Sequence, residues 1–99
     1  MSDRMPTHYT SLEDKSVFIT GGASGIGEAL VTAFVEQGAK VAFVDIMEDA
    51  GNALVEKLSK DACNAPVFIK CDLTDIPALQ AAVAKAAEIN GPITGLLNN

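Results

Sequence analysis

The chain has 99 residues, of which 48% are hydrophobic and 20% charged, a composition typical of one small globular domain. Its formal net charge is −6, from 13 acidic and 7 basic residues. Nucleic acids and anionic membrane surfaces are bound by clusters of Lys and Arg, so we expect neither as a partner. Two cysteines without CxxC spacing and a single histidine cannot form a zinc site, and we expect reduced thiols and no metal ligands.

Residues 1–14 are polar, and we expect them to form a leader ahead of a folded unit that covers residues 15–99. This start lacks the apolar core of a secretory signal. No apolar run approaches the ~18 residues that a membrane-spanning helix needs. These features favour a cytoplasmic location.

Apolar runs and helical patterns alternate along the chain. Runs of β-branched and apolar residues predict buried strands, whereas apolar residues spaced by three and four predict helices. The predicted strands are SVFIT, KVAFVDI up to Asp45, a run from about Pro66 to Lys70, and the beginning of a fourth in ITGLLNN. The order β-α-β-α-β-α-β with short connections predicts an α/β fold, the N-terminal portion of a doubly wound parallel sheet of the Rossmann type.

Three helices are predicted between these strands. The first has an apolar face and is closed by Gly38, while the second is weaker and is interrupted by Gly51. The third is the clearest, with a cap at Thr74 or Asp75 and a stop at Gly91. The predicted apolar face of the first helix consists of Ile26, Ala29, Leu30, Ala33 and Phe34.

Right-handed crossovers predict the strand order 3-2-1-4, with two helices on one face of the sheet and one on the other. We therefore expect one face to be poorly covered. Six apolar strand residues are expected to be divided between the faces, so that some meet water: Val17, Ile19, Val41, Phe43, Phe68 and Leu97. On this basis we expect residues 1–99 alone to be molten, to aggregate or to need a partner.

The turn TGGASGIG joins the first strand to the first helix. Unpaired N–H groups and the positive end of the helix dipole make such a turn a site for phosphate. Gly21 would permit the sharp turn, Gly25 the approach of a phosphate, and Gly27 close packing of helix on strand. Ser24 could add a hydroxyl donor. Glycines kept for steric reasons alone are the alternative, but the flanking strand and helix favour a pyrophosphate site.

Asp45 ends the second strand at about the spacing from Gly27 expected for a ribose-binding residue. A carboxylate there can accept hydrogen bonds from the 2′- and 3′-hydroxyls of adenosine and would repel a 2′-phosphate. Ala23 in the loop and Ile46 and Met47 after the strand carry no positive charge. The pattern favours NAD over NADP, although an aspartate that merely ends a strand remains the alternative.

TGGASGIG also matches the TGxxxGxG loop of the classical short-chain dehydrogenases/reductases, and the chain resembles that family from about Leu12 onward. CDLTD resembles the family's segment after the third strand, which implies that Asp72 and Leu73 flank the adenine ring. LLNN resembles the start of the family's NNAG motif, which implies that Asn98 and Asn99 support the sheet and border the cofactor ribose. QGAKVAFVDI and PVFIKCDL look most like bacterial sugar dehydrogenases of the xylose 1-dehydrogenase type.

The resemblance implies an oxidoreductase that transfers hydride between NAD and an alcohol or sugar, in a complete enzyme that is a homo-oligomer. Family members use a tyrosine with a lysine four residues later, whereas Tyr9, the only tyrosine here, precedes the first strand and is followed at that distance by Glu13. We therefore predict no catalytic residue in this chain. The predicted cofactor contacts are Gly21, Ser24, Gly25, Ile26, Gly27, Asp45, Asp72, Leu73 and Asn99.

The chain is accordingly interpreted as the N-terminal part of a longer enzyme, truncated inside the NNAG motif. Residues 15–99 would be a partial NAD(P)-binding Rossmann domain that binds cofactor at most. The alternatives are a stand-alone dinucleotide-binding module without catalysis and a non-functional truncated product.

Overall fold

The computed structural model describes residues 15–23, 25–60 and 64–98. The predicted leader and two predicted cofactor contacts, Ser24 and Asn99, lie outside these described residues. Strands and helices alternate within them in the predicted order. The elements are β1 (Ser16–Thr20), α1 (Gly25–Glu36), β2 (Lys40–Asp45), α2 (Glu48–Ser59), β3 (Val67–Lys70), α3 (Ile76–Asn90) and β4 (Gly95–Asn98).

The strands form one parallel sheet with the order β3-β2-β1-β4, which confirms the predicted Rossmann-type topology. Thr20 at the end of β1 is in register with Asn98 of β4, and Asp45 at the end of β2 is in register with Lys70 of β3. The carboxyl ends of the strands therefore share one edge of the sheet. The segments that follow β1, β2 and β3 meet there, where ligands of open α/β sheets bind.

The six apolar strand residues that we expected to be divided between the faces all lie on one face, against α1 and α2. The buried ones are Val17, Ile19, Val41 and Phe43. The partly buried ones are Phe68 and Leu97. The expectation was wrong because side chains alternate along a strand with a period of two, and the register puts all six in the same phase.

The opposite face is covered by α3, whose Ala82 and Ala86 pack on Phe18 and its neighbours. Leu96 of β4 is in register with Phe18 and so belongs to this face, yet it is 62% exposed. Among the exposed large apolar side chains of the described residues, it is the one that lies on a strand. One face of the sheet is therefore less well covered, as the crossovers predict, and the side chain left exposed on it is Leu96.

The apolar face predicted for α1 is confirmed only in part: Leu30 and Phe34 are partly buried against the core, but the fully buried side of the helix is a neighbouring one. The helix buries Gly27, Val31 and Val35, whereas Ile26 is largely exposed. Nearly every residue of GIGEALVTAFVE is small or apolar, so several faces have a similar apolar pattern. A glycine also adds nothing to an apolar count, although here Gly27 faces the sheet.

Gly51 does not interrupt α2, which runs unbroken through this position. A Cβ atom at Gly51 would overlap the Cε1 atom of the Phe68 ring, closer than real side chains approach one another. The ring of Phe68 in turn packs on Phe43, with 5.2 Å between the ring centroids. Glycine is therefore what allows α2 to lie against β3.

The predicted ends of α3 are confirmed. The Asp75 side chain caps the helix by accepting a hydrogen bond from the N–H of Ala78 at 3.1 Å. Gly91 ends the helix with φ of 88°, a conformation that favours glycine. None of the helices in the described part of the chain is long and apolar enough to cross a membrane.

Candidate functional site

The glycine loop after β1 lies directly on the end of β2. The N–H groups of Gly21 and Gly22 both donate to the carbonyl of Val44, at 2.8 and 3.3 Å. Gly21 has φ of 67°, as expected for the residue that turns the chain. A Cβ atom at Gly22 would lie 2.7 Å from the Cβ atom of Phe43. Sequence reasoning gave Gly22 no role, because the contact that requires it comes from a different strand.

The start of α1 offers an open site for an anion. Gly25 has φ of 60°, and a Cβ atom added there would find nothing within 4 Å. The first N–H groups of a helix have no partner within the helix and carry the positive end of its dipole. Gly27 is buried beneath, and the Ile26 side chain is largely exposed. The open space and the N–H donors fit a phosphate group.

Asp45 joins the loop to the strands beside it. Its carboxylate is buried and accepts hydrogen bonds from the N–H of Ala23, at 3.1 Å to Oδ2, and of Met47, at 2.9 Å to Oδ1. Its backbone carbonyl accepts from the N–H of Cys71 at 3.0 Å. A carboxylate has about four acceptor positions, so both oxygens can still accept hydrogen bonds from a ligand.

A cavity of about 220 Å³ opens between the ends of β1, β2 and β3. It brings together four of the predicted cofactor contacts with two further residues. Its lining consists of Gly21, Asp45, Ile46, Cys71, Asp72 and Leu73. A cleft with apolar walls and a few carboxylates suits a flat heteroaromatic ring that carries hydroxyl groups.

Asp72 and Cys71 differ sharply in ionisation. The hydroxyl of Thr74 donates to Asp72 Oδ1 at 2.7 Å, and its N–H donates to the same oxygen at 2.9 Å. These bonds hold the pKa of Asp72 below its ordinary value, so the carboxylate stays charged. Burial, assisted by the charges of Asp75 and Asp72, raises the pKa of the Cys71 thiol. Cys71 is therefore a neutral wall of the cavity at neutral pH.

The end of β4 is tied to β1 through Thr20. The Thr20 hydroxyl donates towards Asn98 Oδ1 at 3.3 Å and the carbonyl of Leu97 at 3.4 Å. Asn98 thus lies at the carboxyl edge of the sheet, on the far side of β1 from Asp45. Within the described residues, no group of three His, Cys, Asp or Glu side chains is placed to hold a metal ion.

A second cavity, of about 240 Å³, lies between the loop, α1 and α2. Ala23 contributes to its wall, together with Glu28 of α1 and Lys57 of α2. Lys57 is distant from the loop in sequence, so its position beside Ala23 could not be predicted from the residues next to Ala23 and Asp45. The opposite charge of Glu28 lines the same cavity.

Comparison with known proteins places these features in a family. The family model described as short chain dehydrogenase matches residues 15–99. The chain is 45% identical over 93 residues to "Probable galactose dehydrogenase GalD" of Rhizobium meliloti, a match that covers 94% of this chain and 36% of the relative. It is 40% identical over 82 residues to D-xylose 1-dehydrogenase of Caulobacter vibrioides, covering 83% of this chain and 33% of the relative.

Solved structures agree. A mutant of a Serratia marcescens short-chain dehydrogenase/reductase superposes with a TM-score of 0.83 at 36% identity, covering 89% of this chain and 36% of the other. A hydroxysteroid dehydrogenase from Escherichia coli has the same TM-score and coverage at 32% identity. The chain thus spans about a third of the length of the relatives that it matches. The match across residues 15–99 shows that this chain belongs to the short-chain dehydrogenase family.

Proposed function

We propose that residues 15–99 form the cofactor-binding part of a longer NAD-dependent oxidoreductase, which transfers hydride between NAD and an alcohol or sugar. The observation that carries this proposal is the placement of Asp45. Its buried carboxylate lines the same cavity as Gly21 and Asp72, next to the open start of α1. Ribose hydroxyls at Asp45 and a pyrophosphate at α1 would be bound together.

The division of work follows from the residues present. NAD, when bound, supplies the group that accepts or returns the hydride. The N–H groups at the start of α1 bind the pyrophosphate, Asp45 accepts hydrogen bonds from the adenosine ribose, and Ile46 and Leu73 shield the adenine from water. The remaining predicted contacts, Ser24, Ile26, Gly27 and Asn99, belong to the same proposal.

The substrate class rests on two relatives, which are named as dehydrogenases of galactose and D-xylose. We propose a sugar or a related alcohol as the substrate of the complete enzyme, with catalytic groups supplied by chain beyond residue 99. A leader at residues 1–14, a cytoplasmic location and a homo-oligomeric complete enzyme are parts of the same proposal. Residues 1–99 alone would bind cofactor without turnover.

The cofactor site is tested with the full-length protein, by titrating NAD into the Gly25→Val variant. Valine would occupy the space next to the first N–H groups of α1, and we expect NAD affinity to fall at least about a hundredfold because the charged hydrogen bonds to phosphate are lost. Gly91→Val is the matched control, since Gly91 also has positive φ and open space around it but ends α3.

Gly25→Val and Gly91→Val both place a side chain on a backbone with positive φ, but only Gly25→Val lies next to the proposed phosphate site. Equal losses of affinity in both variants would mean that strain, not the site, is responsible. Retained NAD affinity in Gly25→Val would show that the pyrophosphate lies elsewhere.

Cofactor preference is tested by the dissociation constants of the unmodified protein for NAD and NADP. We expect tighter binding of NAD, because Asp45 would repel a 2′-phosphate. Binding of NADP at least as tight as NAD would contradict the role given to Asp45. Lys57→Met then shows whether the lysine near Ala23 contributes to NADP affinity.

A further inference from the structure

We propose that Asp45 has a second role, in which its carboxylate positions the glycine loop through the amide of Ala23. This inference rests on the proposed function, in which that loop binds the pyrophosphate. The same side chain would then act on both ends of the adenosine diphosphate unit. It would bind the ribose directly and the phosphates through the backbone that it holds.

The hydrogen bonds of the loop identify this role. Three successive N–H groups are bonded to the end of β2: Gly21 and Gly22 donate to the carbonyl of Val44, and Ala23 donates to Asp45 Oδ2. Any residue at position 44 would offer the carbonyl. The third bond depends on the side chain at position 45, so it alone is lost on substitution.

The carboxylate is itself held in place from both sides. Met47 donates to Oδ1, and the Asp45 carbonyl accepts from the N–H of Cys71, the residue that follows the neighbouring strand β3. Asp45 is only 9% exposed, and a buried carboxylate bonded to backbone N–H groups has little freedom to turn. The ribose hydroxyls therefore meet oxygens already fixed by the fold, and the loop keeps its bond to Asp45 while the cofactor is bound.

This arrangement predicts that substitution of Asp45 weakens cofactor binding in two separable ways. One loss is that of the hydrogen bonds to the ribose hydroxyls. The other is the loss of order in the loop before the phosphates bind, which a ligand must then restore. Only the first loss disappears when the ligand has no ribose hydroxyls.

The experiment measures binding of two ligands to the full-length protein: NAD, and an NAD analogue whose adenosine ribose is 2′,3′-dideoxy. We expect Asp45→Ala to weaken binding of the dideoxy analogue by about tenfold or more, the scale of one hydrogen bond to a charged group. The loss for NAD should be larger still. Asp45→Asn keeps an oxygen that can accept a hydrogen bond from the N–H of Ala23. Its affinity for the dideoxy analogue should therefore lie between those of the unmodified protein and Asp45→Ala.

Glu48→Gln is the matched control. Glu48 is an exposed carboxylate three residues away that pairs with Lys70 at 3.8 Å. Neutralising it changes the local charge as Asp45→Asn does, and we expect no change in affinity for the dideoxy analogue. A second readout needs no ligand: hydrogen exchange of the Ala23 amide should be faster in Asp45→Ala than in the unmodified protein and unchanged in Glu48→Gln.

The outcomes separate the two proposals. If Asp45→Ala weakens NAD but leaves the dideoxy analogue and the Ala23 amide unchanged, Asp45 acts through the ribose alone, which overturns the positioning role and leaves the proposed function intact. If the unmodified protein binds no NAD, the proposed function fails, and exchange at Ala23 still decides whether Asp45 holds the loop.

Discussion

Asp45 and Ile46 are adjacent in sequence but lie in opposite environments. Asp45 is buried and hydrogen-bonded, whereas Ile46 is 59% exposed beside the same cavity. A charged residue at position 46 can therefore reach the cavity without being buried. Under the proposed function, the end of β2 is therefore where we expect few substitutions to change the preference between NAD and NADP.

Asp45→Ala combined with Ile46→Arg should shift preference towards NADP. The first change removes the carboxylate that repels a 2′-phosphate, and the second supplies a guanidinium that can bind it with two hydrogen bonds. We expect the ratio of NADP affinity to NAD affinity to rise by at least about tenfold, while both absolute affinities suffer from the looser loop. Direct titration of both cofactors measures this ratio.

The double variant Asp45→Ala with Ile46→Gln is the uncharged control. If it has the same ratio as Asp45→Ala with Ile46→Arg, the 2′-phosphate does not lie near position 46.

Cys71 should report occupancy of the cavity. Because burial raises its pKa, little thiolate is present at neutral pH, and alkylation should be slow there and accelerate as the pH rises. NAD should slow the reaction, since Cys71 lines the cavity assigned to adenosine. Mass spectrometry of the peptide that contains Cys71 gives the rate with and without NAD. Rapid alkylation at neutral pH, or a rate that saturating NAD does not change, would contradict the assignment.

The folded state also binds the Cys71 proton more tightly than the unfolded state does, because its pKa is raised. The stability that Cys71 contributes is therefore complete below the thiol's unfolded pKa and is lost as the pH rises through its higher folded pKa.

At the level of single residues, the sequence predicted what depends on local spacing. Gly21 and Gly25 occupy left-handed positions, and Asp45, Asp72 and Leu73 share a cavity, because motif and strand ends set these relations. The sequence could not predict the bond from Ala23 to Asp45 or the need for Gly22. Both depend on the distance between two segments in space.

At the scale of the elements, the contact between α2 and β3 depends on a position where the helix has no side chain. Gly51 faces the ring of Phe68, which in turn packs on Phe43 in the core. A helix interior normally gains about 1 kcal/mol when glycine becomes alanine. Here that gain opposes the cost of a steric overlap.

Gly51→Ala should lower the free energy of unfolding by about 1–3 kcal/mol, because overpacking outweighs the gain in helix propensity. The midpoint of denaturant unfolding of the full-length protein measures it. Asn52→Ala, at an exposed position in the same helix, is the control and should be neutral or slightly stabilising. Phe68→Leu in the Gly51→Ala background should recover part of the loss. A Gly51→Ala variant as stable as the Asn52→Ala variant would mean that α2 can move away from β3 at little cost.

Element order and strand order were predictable because the spacing of apolar residues changes from strand to helix and crossovers have one hand. The side of α1 that faces the sheet was predictable only in part, since Leu30 and Phe34 do pack on the core but the helix is apolar on several sides. A glycine such as Gly27, which is buried, does not count as an apolar side chain in the sequence. The role of Gly51 was not predictable either, because a glycine that breaks a helix and one that admits a ring look alike in sequence.

For the molecule as a whole, the two faces of the sheet are covered unequally. The face under α1 and α2 buries a continuous cluster that includes Val17 and Phe43, whereas α3 leaves Leu96 in water at the edge of the sheet. Burial of one leucine contributes about 1.5–3 kcal/mol. That is well below the stability of a typical domain, about 5–15 kcal/mol. We therefore expect residues 1–99 alone to associate through this edge rather than to lose their fold.

Leu96→Lys should have opposite effects in the two forms of the protein. In residues 1–99 alone, a charge on the open strand should oppose edge-to-edge pairing and raise the fraction of monomer. In the complete protein, where we propose that further chain covers the second face as doubly wound sheets require, the same change should lower the free energy of unfolding by about 1.5–3 kcal/mol or more. Sedimentation of residues 1–99 alone and denaturant unfolding of the complete protein measure the two effects.

Leu97→Lys is the control for this prediction. Leu97 packs on the face covered by α1 and α2, so its replacement should destabilise both forms of the protein. The contrary outcome is that Leu96→Lys destabilises residues 1–99 as much as it destabilises the complete protein. Leu96 would then already be part of the core of residues 1–99, and the unequal cover of the two faces would not explain how residues 1–99 behave alone.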